Sequence, residues 1–275
     1  MIVQISDIHI GGEYDGQFDC RGNFEKVLAD IKKNVAGWES RMRVVVSGDL
    51  CDSDAPVNAA TPENYLYIDE RICTVLGVSA EQIIYMPGNH DDAEVMGDAL
   101  GFDPERYGVY YVESENPAKY PDYAIITVPT YTGKVVFPAG LGADLVDAEA
   151  AELKKRYGVE GLRKVGHTAN FVFSHFPIGP VHHRFMNNGH SLEGGNDAAS
   201  SLYYAEYRHT FCGHYHIGQT VHNPGLPDIH VCPSVQCQLD PYTKGCTPVG
   251  DCPGYALIEL TKAGEPVVTY HFIEG

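Results

Sequence analysis

Apolar residues along the 275-residue chain recur in two rhythms that alternate. Short runs rich in β-branched residues, "MIVQIS" at 1–6, "RVVVSGD" at 43–49 and "QIIYMPGNHD" at 82–91, have the length and composition of buried strands that run into loops. Between the first two lies "NFEKVLADIKKNVAGW", where Phe24, Val27, Leu28, Ile31 and Val35 share one helical face and Gly37 ends the pattern. Between the second and third lies "TPENYLYIDERICTVLG", with Thr61 as N-cap, Pro62 at the first helical position and Gly77 at the close. Strand, helix, strand, helix, strand in the first 90 residues predicts parallel strands joined by helical crossovers.

Beyond residue 100 the pattern is mixed. "VYYV", "YAIITVP", "NFVFSH", "HTFCGHYH", "DIHVCPS", "YALIEL" and "VVTYHFI" read as strands, and "DLVDAEAAELKKRYG" as a charged-faced helix over 144–158. With no internal repeat, low-complexity tract or linker, the chain reads as a single domain over 1–275, completed by a Cys-rich C-terminal segment, 228–275.

Composition narrows the function classes. At 44% hydrophobic residues without a long unbroken apolar run, the expectation is a soluble globular protein that does not span a membrane. The first apolar run starts at residue 1 with no basic or cleavable leader ahead of it, so a cytoplasmic location is expected. Nineteen basic against 37 acidic residues give a formal charge of −18, which repels polyanions and argues against nucleic acid as a partner. Some of that negative charge is expected to face a bound cation. None of the eight cysteines form a C-x-x-C pair, so buried thiols are expected, with a disulfide or structural metal among Cys232, Cys237, Cys246 and Cys252 left open.

The candidate chemistry sits where the expected strands end. Asp7 and His9 follow the first, Asp49 the second, and Asn89 and His90 the third; His175 closes "FVFSH", and His214 and His216 close "FCGHYH". In an extended segment residues two apart point the same way, so His214 and His216, like Asp7 and His9, are expected to face one object. Ligands gather at the carboxyl ends of strands in α/β sheets. Gly48, Gly88 and Gly213 directly precede site residues, which suits sharp turns and close backbone approach. Any one of these residues alone would be an ordinary turn or core residue; the ordered set is not. Two carboxylates, one amide and four imidazoles exceed a tetrahedral zinc site and suit two divalent ions. Asp49 is then the expected bridge, with Asp7, His9 and His216 on one ion, Asn89, His175 and His214 on the other, and a hydroxide between the ions as nucleophile.

The series D-x-H, G-D, G-N-H-D, H and G-H-x-H resembles that of the calcineurin-like metallophosphoesterases, with no motif substituted. "FDCRGNFEKVL", "NNGHSLEGGN", "CPSVQCQLDP" and "PGYALIEL" resemble segments of the class III cyclic nucleotide phosphodiesterases and the related glycerophosphodiesterase; "YTKGCTPVGDC" departs from them by enlarging the tail. The resemblance implies an α/β fold of two packed sheets in a β-sandwich flanked by helices. It also implies that His90 is not a ligand but acts on the phosphate or the leaving alkoxide.

The expected activity is metal-dependent hydrolysis of a small phosphodiester, foremost a 3′,5′-cyclic nucleotide such as cAMP. A glycerophosphodiesterase or broad-specificity phosphodiesterase is the alternative; a non-enzymatic scaffold and a nuclease are weaker ones. Fe, Mn, Zn and Co all suit mixed nitrogen and oxygen ligands. A homodimer is left open. The Gly-, Pro- and Asn-rich stretch after His175 is expected to roof the site, with Asn187, Asn188 and His190 contacting substrate.

Overall fold

A computed structural model describes residues 1–13, 16–114, 121–130, 138–158, 167–186, 194–250 and 252–274. The first half follows the expected alternation: β1 (Ile2–Ile5), α1 (Cys20–Asn34), β2 (Arg43–Ser47), α2 (Pro62–Leu76), β3 (Ile83–Met86), α3 (Ala93–Leu100). The remainder runs β4 (Gly108–Val112), β5 (Asp122–Val128), α4 (Leu141–Tyr157), β6 (His167–Ser174), α5 (Gly195–Tyr204), β7 (His209–Cys212), β8 (Gln219–Val221), β9 (Asp228–Val231), β10 (Gly254–Leu260) and β11 (Pro266–Phe272). The cap of α2 falls where the sequence placed it: Thr61 Oγ1 accepts the Asn64 N–H, Pro62 opens the helix, and Gly77 closes it at φ 72°. Helix α1 begins at Cys20, four residues before the first residue of its apolar stripe, because the Asp19 carboxylate caps it through the Gly22 N–H.

Two sheets result, ordered β11-β10-β1-β2-β3 and β4-β5-β6-β7-β9-β8. Strands β1, β2 and β3 are parallel in the first, and β5, β6, β7 and β9 in the second; the outer strands are antiparallel. Side chains alternate between two cores, as the period of two requires. Val3, Ile5, Val44, Val46, Ile83 and Tyr85 pack with Phe24, Leu28, Ile68 and Ile72 of α1 and α2. Ile2, Val45, Ile84 and Met86 pack instead against Ile125, Phe171, Phe173 and Phe211 of the second sheet. The outer face of that sheet, including Ile126 and Val172, is covered by Leu141, Leu145 and Leu202 of α4 and α5. The layers are therefore helix, sheet, sheet, helix, the expected two-sheet sandwich flanked by helices.

The tail is woven into this frame. Strand β10 pairs with β1, while the stretch before it runs along the first metal motif, with Val235 N–H on Ser6 O and Gln236 N–H on Asp7 O. Cys232 and Cys237 are buried free thiols, and Cys246 is an exposed one. Among the described residues no helix is long and apolar enough to cross a membrane.

Candidate metal centre

Because the parallel strands of both sheets end at one edge, residues far apart in sequence converge there. Backbone bonds bring the motifs together: Asp7 N–H donates to Gly48 O, His9 N–H to Asp49 O, and Gly213 N–H to His175 O. The turns are tight. Of the six described non-glycine residues with left-handed φ, five are Asp7, His9, Asp49, His214 and His216, at 51–64°. Such backbone costs ~1–3 kcal/mol per residue and persists only where surrounding bonds over-determine it. A Cβ on Gly213 would come within 1.8 Å of Ser6 Oγ, and one on Gly48 within 2.5 Å of His175 Nδ1, so only glycine lets the motifs approach this closely.

These turns correct one expectation. His214 and His216 do not lie in an extended segment: both have left-handed φ, 64° and 51°, and with Tyr215 buried between them they join different clusters. Asp7, His9 and His216 form one group whose ligand atoms lie within 4.8 Å of one another, and Asp49, His175 and His214 form another, all buried. Asp49 joins them: its Oδ2 lies 3.1 Å from His175 Nε2 and 3.6 Å from His9 Nε2, while its Oδ1 accepts the His90 N–H at 2.8 Å. Asn89 Oδ1 stands 3.1 Å from His175 Nε2, and His216 Nε2 stands 3.4 Å from Asp7 Oδ1.

The donor set fits divalent cations. His175 Nδ1 faces Ser47 O at 2.8 Å and His216 Nδ1 faces Cys237 O at 3.2 Å, so each ring gives its Nδ1–H to a carbonyl and turns Nε2 toward the carboxylates, where a metal ion would take the place of the Nε2 proton. His9 Nε2 faces His216 Nε2 at 3.2 Å, and buried His9 Nδ1 has no hydrogen-bond partner. Imidazole nitrogens and carboxylate oxygens converging in this way are the donor set that a divalent metal ion satisfies.

The local field has the same sense. Burial pushes Asp49 up, but the imidazoles of His175, His9 and His90 outweigh it and hold the carboxylate well below its ordinary range. Burial pulls His175 down, yet Asp49 and Asp7 raise it to about 9; Asp7 likewise lifts His216 well above its usual value. Their partners stay neutral: burial takes His9 to about 4 and His214 well below its ordinary value. Each cluster thus favours one positive charge.

Three groups support the site beyond the expected ligands, and one of them, Asp91, is the last residue of G-N-H-D. Asp52, buried, holds His90 Nδ1 at 3.3 Å and, against the effect of burial, helps Asp49 and Asp54 raise His90 to about 9. Asp91 accepts the N–H groups of Leu50, Cys51 and Gly88, tying the second and third motifs. Thr130 Oγ1 accepts the His175 N–H. The three-residue spacing of Asp49 and Asp52 in "GDLCD" was the available signal for the first; nothing in the sequence pointed to Thr130. Asn187, Asn188 and His190, expected to touch substrate, lie outside the described residues.

This edge belongs to a known class. The model of the calcineurin-like phosphoesterases matches residues 1–218, and the chain is a member of that family, a hydrolase of phosphoesters. A probable cyclic nucleotide phosphodiesterase of Fibrobacter succinogenes is 27% identical over 263 residues, covering 94% of this chain and 88% of the relative. A dimetal phosphatase from Danio rerio superposes with a TM-score of 0.55 at 13% identity, covering 97% of each chain. Purple acid phosphatase PPD1 from yellow lupin seeds gives 0.59 at 12% identity, with 98% of this chain on 51% of that one. At such identities the two structures speak for the fold alone.

Proposed function

We propose that the protein hydrolyses a small phosphodiester, foremost a 3′,5′-cyclic nucleotide to the nucleoside 5′-monophosphate, using two divalent ions. Asp7, His9 and His216 would hold one ion, Asn89, His175 and His214 the other, and Asp49 both. The observation that carries this is Asp49 Oδ2, within 3.6 Å of His9 Nε2 and 3.1 Å of His175 Nε2. Bound there, the ions supply Lewis acidity to the phosphoryl oxygens and acidify water at neutral pH.

The chain's own groups do the rest. Asp52 keeps the proton on His90 Nδ1, so Nε2 carries the second, exchangeable proton toward the cleft that His90 lines. That Nε2–H stabilises negative charge on the phosphoryl group or protonates the departing ribose oxygen, a poor leaving group. The Asp7 carboxylate, gripped by the His214 N–H at 3.0 and 3.1 Å, is fixed as an acceptor and does not swing.

The 27% identical relative named as a probable cyclic nucleotide phosphodiesterase supports this substrate over others of the class. A panel of cyclic nucleotides, glycerophosphodiesters and phosphomonoesters, run after reconstitution with Fe, Mn, Zn or Co, tests it. Fastest metal-dependent turnover is expected on a cyclic nucleotide. Preference for glycerophosphodiesters would replace the substrate while keeping the chemistry, and activity on monoesters alone would overturn the proposal.

A further inference from the structure

The cleft beside the metal clusters, about 400 Å³, has two unlike halves. One is the polar floor of His9, Asp49, Asn89, His90, His214 and His216. The other is formed by Phe18, Phe185, Met186, Leu239, Cys246 and Pro248. Among the described residues no lysine or arginine lines it, and Asp49 is its one carboxylate.

The second half is constructed, not incidental. Its centre is the tail segment at 238–249, folded back on itself by Asp240 N–H to Thr247 O, Val249 N–H to Gln238 O and a bridge between Leu239 and Pro248. Leu239 N–H donates to His216 O at 2.8 Å, so the hairpin is indexed to the metal-side loop. Arg184 N–H donates to Pro241 O, joining it to the 181–186 loop that brings Phe185 and Met186. From below, Phe18 packs with Leu239 and Cys237 in a small core of its own. Three separate stretches are thereby bonded into one apolar surface facing the site.

We infer that this surface is the specificity wall of the enzyme, and that it takes an uncharged, planar ester group of the phosphodiester. This rests on the phosphodiesterase reading above. Aromatic rings, a thioether and aliphatic side chains reward flat apolar surface. Among the described residues an added phosphate would find no basic side chain there, a quaternary or primary ammonium would find no carboxylate apart from Asp49, and a polyol would cover little of the apolar surface and meet only the amides of Gln17 and Gln236 beside it. The wall therefore favours a nucleobase-like or aryl group over a glycerol or choline-like one.

The test uses methyl 4-nitrophenyl phosphate and phenyl 4-nitrophenyl phosphate, diesters with the same leaving group and different second esters. Each rate is compared with its own uncatalysed hydrolysis. The metal-loaded enzyme is expected to favour the phenyl ester in kcat/KM by about 10-fold or more, the scale of discrimination in an apolar pocket. Cys246→Trp, at an exposed position, fills the wall side; it is expected to lose that preference, kcat/KM for the phenyl ester falling about 10-fold more than for the methyl ester, with metal content retained. Cys246→Ser keeps the space and should keep the preference. Equal enhancement of both esters by the unaltered enzyme, or parallel loss on both in Cys246→Trp with metals retained, overturns the wall. Cyclic nucleotides are assayed separately: if they are not hydrolysed while the phenyl preference and its loss hold, the wall stands and the cyclic nucleotide assignment falls.

Discussion

At the strand ends, five ligand-type residues sit in left-handed backbone, each locked by bonds to another motif; a few residues away, the 238–249 hairpin holds itself by ordinary turn bonds and presents apolar side chains. The first region tolerates almost no change of shape, since Gly48 and Gly213 already bring their neighbours to contact. The second carries Tyr242, 82% exposed, and Val249, 57% exposed, and can change outward-facing residues freely. Rigid, strained strand ends set the chemistry, and segments hung beside them set what is admitted. Substitutions in the two regions should therefore fail in different ways.

The largest effect is expected at Asp49. Asp49→Asn keeps an acceptor for the His90 N–H but removes the charge facing both His9 and His175. Turnover of a nitrophenyl diester should fall on the order of 10³-fold or more, the scale of losing a preorganised electrostatic group. Metal analysis should show fewer than two ions per chain. Two ions and normal turnover in this variant would remove Asp49 from between the clusters.

Next comes the His90 and Asp52 pair. His90→Ala should retain metals and lose ~10²–10⁴-fold on a substrate with a poor leaving group, with a much smaller loss on a nitrophenyl diester, which needs no proton on departure. Asp52→Asn acts through His90, loosening its orientation and removing a charge that holds its proton, and should cost ~10–100-fold with the same dependence on leaving group. Equal losses on both substrates would assign His90 to the phosphoryl charge instead.

The sequence made the frame readable because its rhythms are unambiguous: Val44 and Val46 against Val45 already implies two covered faces, and Thr61, Pro62 and Gly77 bound α2. Short α3 and α5 and the three-residue β8 carry too few periods to stand out and were not expected. Site residues were legible by their place after strands. Their backbone was not, since nothing in "FCGHYH" announces left-handed φ at two histidines, a conformation imposed by bonds to distant motifs. The wall was least legible of all: Phe18 and Leu239 meet only once the tail has threaded past Asp7.

The smallest effect sharpens the comparison most. Asp240 lies at the turn of the hairpin, where its Oδ1 accepts the Tyr242 N–H at 2.9 Å and its backbone N–H donates to Thr247 O. Asp240→Ala removes the side-chain bond and leaves the backbone one. An exposed bond of this kind contributes about 0.5–1 kcal/mol, so the turn loosens without unfolding. The wall behind it, Cys246 and Pro248, then spends more time away from the cleft. KM for the phenyl diester should rise about two- to threefold, the size that free-energy loss allows, while kcat, the methyl ester rate and metal content stay unchanged. Hydrogen exchange at the Thr247 and Val249 region should quicken in step. A fall in kcat on both esters, or lost metal, would show that the turn supports the strand ends as well, through Leu239 and His216, and that chemistry and selection are not separable in this protein.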